Sequence, residues 1–134
     1  MDSLTTGGQQ YSLLPLAQRP DLRAPLMHLF RLCFSHYEGS LTVSDDYGDW
    51  FTQRPGFDWE ASQVALVVDQ PAASLFITLT QMVLAGQPRQ VAITDSVMTH
   101  PDHRRRGLAR TLMLRSMEAL SLIHISEPTR QAEI

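Results

Sequence analysis

The chain has 134 residues, of which 43% are hydrophobic, and a formal net charge of −3 at pH 7. This length fits one domain and this hydrophobic fraction can bury a core, which excludes a multidomain protein and an intrinsically disordered chain. The small negative charge argues against a protein whose whole surface binds nucleic acid.

Cysteine content and hydropathy indicate the cellular compartment of the protein. The single cysteine, Cys33, lies in an apolar helical run and cannot form an intrachain disulfide, which fits a reducing cytoplasm. We expect Cys33 to be a buried, unreactive thiol. The sequence contains no signal-peptide pattern and no apolar run as long as a membrane span. We therefore expect a cytoplasmic protein that does not enter the membrane.

The first 34 residues predict one strand and one helix. Residues 1–10 are polar and are expected to be frayed. Residues 11–17 predict a short strand, which Pro15 would confine to a sheet edge. Asp21 can cap a helix whose apolar stripe continues to Phe34.

Residues 35–60 are rich in aromatic and acidic side chains, and residues 46–52 predict a short helix. Acidic and aromatic groups together would suit a cationic amine, through ion pairing and cation–π contact. Glu38, Asp49 and Trp50 are the candidates for such contacts. The alternative is that the rings pack against the sheet and the carboxylates are solvated.

Three strands and a helix follow. Residues 63–69 and 74–84 predict a hairpin of two strands, and residues 91–99 predict a third strand. After Gly107 the apolar residues recur at helical spacing.

The turn between the third strand and this helix has the features of an anion site. It contains three consecutive arginines, Arg104 to Arg106, followed by Gly107. The first amides of a helix lack internal partners and lie at the positive end of its dipole. Gly107 has no Cβ, so a phosphate can approach the backbone closely. The alternative is a solvated basic turn.

The segment Arg104-Arg105-Arg106-Gly107-Leu108-Ala109 resembles the Arg/Gln-x-x-Gly-x-Gly/Ala signature of the GNAT family of N-acetyltransferases. The strand end and the proline-containing loop before it, residues 97–103, and the amphipathic helix after it have the family's order. The close resemblance covers residues 91–119. It implies an α+β fold, with a mixed and mostly antiparallel sheet flanked by helices, and acetyl-coenzyme A (acetyl-CoA) as the cofactor.

The resemblance also implies roles for individual residues. The loop amides would hold the coenzyme A (CoA) pyrophosphate, and the strand end would hold the pantetheine arm. The cofactor-binding residues so implied are Val97, Met98, Thr99, Arg104, Arg105, Arg106, Gly107, Leu108, Ala109 and Arg110. The segment after the first helix, with Glu38, Asp49 and Trp50, would shape the acceptor site.

Asp95 is the candidate general base. With regular alternation it shares a face with Val91, Ile93, Val97 and Thr99, where a carboxylate is anomalous. Burial would make it a stronger base. In many family members a carboxylate on this strand acts as the base, although a bulge common in this strand changes which face a residue takes. The alternative is a structural aspartate satisfied by an arginine or by backbone amides.

The histidines give weaker candidates. His100 and His103 flank Asp102 but lack a clear third ligand, so no metal site is predicted. His36, beside Glu38, is a weaker candidate for the base.

We therefore expect an acetyl-CoA-dependent N-acyltransferase that acetylates a primary amine of a small molecule or a peptide. The alternative is a non-catalytic module of the same fold that binds CoA or an acyl-CoA. A third interpretation, nucleic-acid binding through the three arginines, is disfavoured by the net charge.

The last fifteen residues, 120–134, differ in character from the rest. Residues 120–130 resemble the conceptual translation of a sequencing-library adaptor, and residues 131–133 resemble its barcode. We expect a partial GNAT domain over residues 1–119 and a non-native tail, the alternative being a genuine short tail. The family's later strand and its tyrosine general acid would then be missing, and this chain would be poorly active or inactive.

Overall fold

The computed structural model describes residues 2–34 and 45–123, which form one β-sheet with helices on both faces. The strands are β1 (Asp2–Thr6), β2 (Gln9–Pro15), β3 (Gln63–Val67), β4 (Gln70–Leu84) and β5 (Gln87–Thr99). The helices are α1 (Arg23–Cys33), α2 (Asp45–Gln53) and α3 (Leu108–Ile123). The predicted α+β class and the mostly antiparallel sheet are confirmed. The two helices predicted between the first strand and residue 60 are present, as is the helix predicted after Gly107.

The five strands are all antiparallel and lie in chain order across the sheet. Three of the connections are two-residue turns with positive φ at both positions, namely Gly7-Gly8, Val68-Asp69 and Ala85-Gly86. Turns of this kind match the right-handed twist of the paired strands. The fourth connection, between β2 and β3, contains α1 and α2.

Two expectations for the N-terminal residues were wrong. Residues 2–6 are not frayed but form β1, because the Gly7-Gly8 turn folds them back onto β2. The strand with Pro15 is also not at an edge, since β2 lies between β1 and β3. Pro15 is tolerated because it ends β2, beyond the last residue that pairs with β1, which is Leu13.

The sheet separates two cores. On one face α1 and α2 cover the α1–α2 core, which contains Leu14, Leu22, Leu26, Met27, Leu29, Cys33, Phe51, Val64, Leu66, Phe76 and Met98. On the other face α3 covers the α3 core, which contains Tyr11, Leu13, Ala65, Ala73, Leu75, Ile77, Leu108 and Leu112. The predicted cofactor-binding residues lie where β5 leaves the sheet, between these two layers.

Helix α3 continues past the predicted domain boundary at Ala119. It runs to Ile123, and both Ala119 and Leu120 pack against the α3 core. The remaining residues of the predicted tail, 124–134, lie outside the described part of the chain.

Candidate functional site

A bulge near the end of β5 sets the direction of the candidate side chains. Ser74 of β4 pairs with Met98, but Phe76 pairs with Asp95, so β5 has one residue more than β4 over this stretch. Ser96 has a φ of 51°, a left-handed conformation that is typical of the extra residue in a bulge. The regular alternation of β5 therefore stops at Ser96.

Because of the bulge, the prediction that Asp95 and Thr99 share one face of β5 is wrong. Asp95 lies opposite Phe76, on the face of the α1–α2 core, and Ile93 shares this face. Thr99 pairs with Ala73, which belongs to the α3 core, so Thr99 does not share a face with Asp95 as predicted. Met98 takes the face of Asp95 instead and is 1% exposed.

The loop from β5 to α3 presents backbone amides. Arg105 and Gly107 have φ values of 63° and 76°, and a Cβ at Gly107 would have no atom within 4 Å. The first helical hydrogen bond joins the Thr111 amide to the Gly107 carbonyl at 3.0 Å. The amides of residues 108–110 therefore precede the first bond of the helix, as an anion site requires.

The arginines of this loop have different partners. Arg104 donates from Nε to the Thr99 carbonyl at 3.1 Å, which ties the loop to the strand end. Arg106 donates to the Tyr11 hydroxyl at 2.5 Å and lies across Gly7, where a Cβ would be 2.7 Å from Arg106 Nε. Arg105 and Arg110 are exposed and make no hydrogen bond or ion pair with the described residues. These two arginines therefore have their whole head groups available to an anion.

Tyr11 and His103 hold Arg106 in place. The Tyr11 hydroxyl lies 2.7 Å from His103 Nδ1, and Arg106 Nη1 lies 3.4 Å from the same nitrogen. Tyr11 is fully buried. Burial, together with the nearby charge of Arg106, lowers the pKa of His103 below its ordinary value. Neutral His103 can then accept a hydrogen bond at Nδ1 from the Tyr11 hydroxyl.

We expect the free energy of unfolding to fall as the pH drops below about 6.5, the ordinary pKa of histidine. The folded chain binds the His103 proton less tightly than the unfolded chain does. Between the lowered pKa and 6.5 the unfolded chain thus carries more protons, and stability rises with pH. Urea unfolding between pH 5 and pH 8 measures this slope.

Two variants test the assignment of this pH dependence. His103→Gln should flatten the slope, whereas His28→Gln, at an exposed position on α1, should keep it. An unchanged slope in His103→Gln would assign the dependence to other groups.

Cys33 meets the strand end from the α1 side. Its Sγ donates to the Thr99 carbonyl at 3.3 Å, and burial raises the pKa of the thiol. A buried thiol with a raised pKa is a poor nucleophile. Cys33 therefore supports the strand end through packing and this hydrogen bond.

Asp95 is paired with an arginine that was not identified from the sequence. Arg54 Nη2 donates to Asp95 Oδ2 at 2.9 Å and to the Thr78 hydroxyl at 2.6 Å. The Arg54 guanidinium carbon lies 3.7 Å from the centroid of the Phe51 ring. A local sequence pattern could not signal this pair, because 41 positions separate its members.

Two of the predicted acceptor residues, Asp49 and Trp50, lie on α2 and make no hydrogen bond or ion pair with Asp95. Asp49 pairs with Arg23 of α1 at 3.0 Å. Trp50 is 63% exposed, and its ring centroid lies 5.6 Å from that of Tyr47. Glu38 lies outside the described residues, as does His36.

The loop histidines have structural partners. His100 Nδ1 accepts from the Asp102 amide at 3.1 Å, and the His100 amide donates to the Ala72 carbonyl at 2.8 Å. Within residues 2–34 and 45–123, no three His, Cys, Asp or Glu side chains are grouped as a metal site would need. None of the described helices is both long and apolar enough to cross a bilayer.

A family model described as an acetyltransferase (GNAT) domain matches residues 22–123. Among curated proteins, none matches the chain in sequence.

Solved structures share the fold at low sequence identity. An aminoglycoside acetyltransferase from an uncultured soil metagenomic sample matches with a TM-score of 0.58 and 17% identity, over 92% of this chain and 74% of that protein. The aminoglycoside N-acetyltransferase AAC(6')-Iy in complex with CoA matches with a TM-score of 0.63 and 14% identity, over 96% and 90%. N-myristoyltransferase from Saccharomyces cerevisiae with bound myristoyl-CoA matches with a TM-score of 0.67 and 10% identity, over 90% of this chain but 28% of the yeast protein.

Proposed function

Since the chain belongs to the GNAT family of acetyltransferases, we propose that it uses acetyl-CoA to acetylate a primary amine of a small molecule or a peptide. The observation that carries this proposal is the loop between β5 and α3. It combines unpaired helical amides, an open backbone at Gly107 and two exposed arginines. That combination suits the pyrophosphate of CoA.

Different residues of this chain would hold successive parts of CoA. The amides of residues 108–110, with Arg105 and Arg110, would hold the pyrophosphate. The backbone of residues 97–99 would hold the pantetheine arm. Acetyl-CoA supplies the thioester from which the acetyl group passes to the amine nitrogen while the thiolate leaves. Structural neighbours solved with CoA and myristoyl-CoA support an acyl-CoA as the donor.

Asp95 is the proposed general base. An amine at neutral pH is protonated and has to lose a proton before its lone pair can attack. The position of Asp95 on β5, directly before the bulge at Ser96 and two residues before the segment proposed to hold the pantetheine arm, supports this role. The base takes the proton from the ammonium group, and the neutral amine then attacks.

Binding and turnover together test this function. CoA should raise the thermal unfolding temperature, and at a hundred times its Kd it should stabilise the fold by about 2.7 kcal/mol. Thiol release from acetyl-CoA is then measured with aminoglycosides, polyamines and peptide amino termini. Aminoglycosides belong in this panel because two structural neighbours are aminoglycoside acetyltransferases. Binding without transfer to any amine would favour either a non-catalytic CoA module or a partial domain that lacks the later catalytic residues, and no binding would refute the proposal.

The double variant Arg105→Ala/Arg110→Ala is expected to weaken CoA binding about thirtyfold. It removes two exposed charge-assisted contacts of about 1 kcal/mol each. Titration calorimetry at low and high salt measures the loss, which should shrink with salt.

Arg89→Ala removes one arginine of β5 far from the loop and is the control for charge. A similar loss with Arg89→Ala would mean that general charge, and not the loop, sets the affinity.

A further inference from the structure

The Arg54 guanidinium lies in a site suited to an organic cation. A carboxylate, a hydroxyl and an aromatic face surround it: Asp95 Oδ2 at 2.9 Å, Thr78 Oγ1 at 2.6 Å and the Phe51 ring at 3.7 Å. We call Asp95, Thr78 and Phe51 the cation site. An ammonium group would be recognised by the same three groups.

Arg54 does not satisfy this site fully. Among the buried side-chain polar atoms of the described residues, Arg54 Nε has no acceptor and Asp95 Oδ1 has no donor. A primary ammonium group has three N–H donors, and the cation site offers three acceptor oxygens. With Arg54 in water, its Nε would be hydrated, so an exchange of cations would leave fewer unpaired groups.

The Arg54 side chain can leave without a change in the backbone. Arg54 directly follows α2, and its amide and carbonyl are bonded to Phe51 and Phe57 at 3.4 and 3.2 Å. The side chain is 28% exposed, so part of it already borders solvent. Rotation about its side-chain bonds would carry the guanidinium outward.

We propose that Arg54 occupies the position that the ammonium group of the acceptor takes on binding, and that it thereby competes with the acceptor and sets its affinity. This inference rests on the proposed function. Asp95 is the link between the two, because the departure of Arg54 would leave both oxygens of the carboxylate facing the bound ammonium group.

The test is a titration of the isotope-labelled chain with n-butylammonium chloride, followed by NMR. Binding should move the Arg54 Nε–H resonance toward that of a solvated arginine. Arg54→Gln should bind n-butylammonium about tenfold more tightly, because the competing cation is gone. Arg54→Met, which also removes the charge but keeps an unbranched chain, serves if the glutamine variant fails to fold.

Three controls decide the assignment. Asp95→Asn added to Arg54→Gln should abolish the gain, and 1-butanol should not bind detectably. Arg19→Gln removes an arginine paired with Asp21 and Asp69 and should bind like the parent chain. Equal or weaker binding by Arg54→Gln, or the same gain in Arg19→Gln, would overturn the proposal.

Two further titrations show whether a negative result concerns the cation site or the proposed CoA binding. Arg23 also pairs with a carboxylate, Asp49, and lies 5.8 Å from the Trp59 ring, so a gain confined to Arg23→Gln would place the cation there and overturn the proposal. In the second titration, CoA is added to the same samples and the NMR resonance of the Gly107 amide is followed. A lack of response there would refute the proposed CoA binding, whereas the n-butylammonium result reports on Arg54 alone.

Discussion

Asp95→Asn is expected to lower kcat for acetyl transfer by about a hundredfold or more, with the affinity for CoA unchanged. Asparagine has nearly the same shape as aspartate and can still accept a hydrogen bond from Arg54, but it cannot take a proton from the amine. Initial rates measured with the amine identified by the acceptor panel give kcat and KM. Calorimetric titration of CoA shows whether the cofactor loop is intact.

Asp49→Asn provides the matched comparison. Asp49 is an exposed carboxylate on α2, paired with Arg23, and is one of the acceptor-binding residues predicted from the sequence. Its loss should raise KM for a cationic amine and leave kcat unchanged, because a binding contact made equally in the ground state and the transition state affects KM alone. A fall in kcat as large as that of Asp95→Asn would remove the distinction between base and binding residue.

Gly56→Ala is expected to destabilise the fold by about 3–4 kcal/mol. Gly56 has a φ of 90°, and a Cβ there would lie 2.1 Å from the Leu79 carbonyl oxygen. The Gly56 carbonyl accepts from the Leu79 amide at 2.7 Å, so the strand cannot move away without losing this bond. Urea unfolding measures the change.

Gly86→Ala separates strain from steric conflict in this prediction. Gly86 also has positive φ, at 76°, but a Cβ there would meet no atom within 4 Å. Its replacement should therefore cost only about 1 kcal/mol, the backbone strain alone. Equal losses in the two variants would mean that the conflict with Leu79 is relieved by a shift of the backbone.

The parts of the fold that were predicted have local signals. Helical spacing of apolar residues identified α1 and α3, and a short helix was predicted over residues 46–52, where α2 lies. Runs of β-forming residues with turn residues between them identified β3, β4 and β5. β1 was missed because its sequence, DSLTT, is short and polar, and its pairing depends on a turn of two glycines that also suits a frayed end. The prediction that Pro15 confines its strand to a sheet edge was wrong because Pro15 lies beyond the residues of β2 that pair with β1. Its missing amide therefore costs no hydrogen bond to β1, and the sequence alone does not show where β1 ends.

The signals for the candidate site are distributed in the sequence in the same way. The loop from Arg104 to Arg110 is contiguous, so its amides and charges were visible in the sequence. The bulge at Ser96 depends on the register with β4, which no local pattern encodes. The partners of Asp95 and Arg106 are distant in the chain, since Arg54 and Tyr11 lie 41 and 95 positions away. A single sequence contains no signal for such contacts.

The chain-order arrangement of the sheet has a consequence for how the protein folds. Three of its four strand pairings close through two-residue turns, so they cost little loop entropy and should form early. The pairing of β2 with β3 has to close over residues 16–62 and should be the slow step. Tyr11 lies on β2, and its contact with Arg106 spans this closure. The loop proposed to hold CoA should therefore reach its final geometry only in the last step of folding.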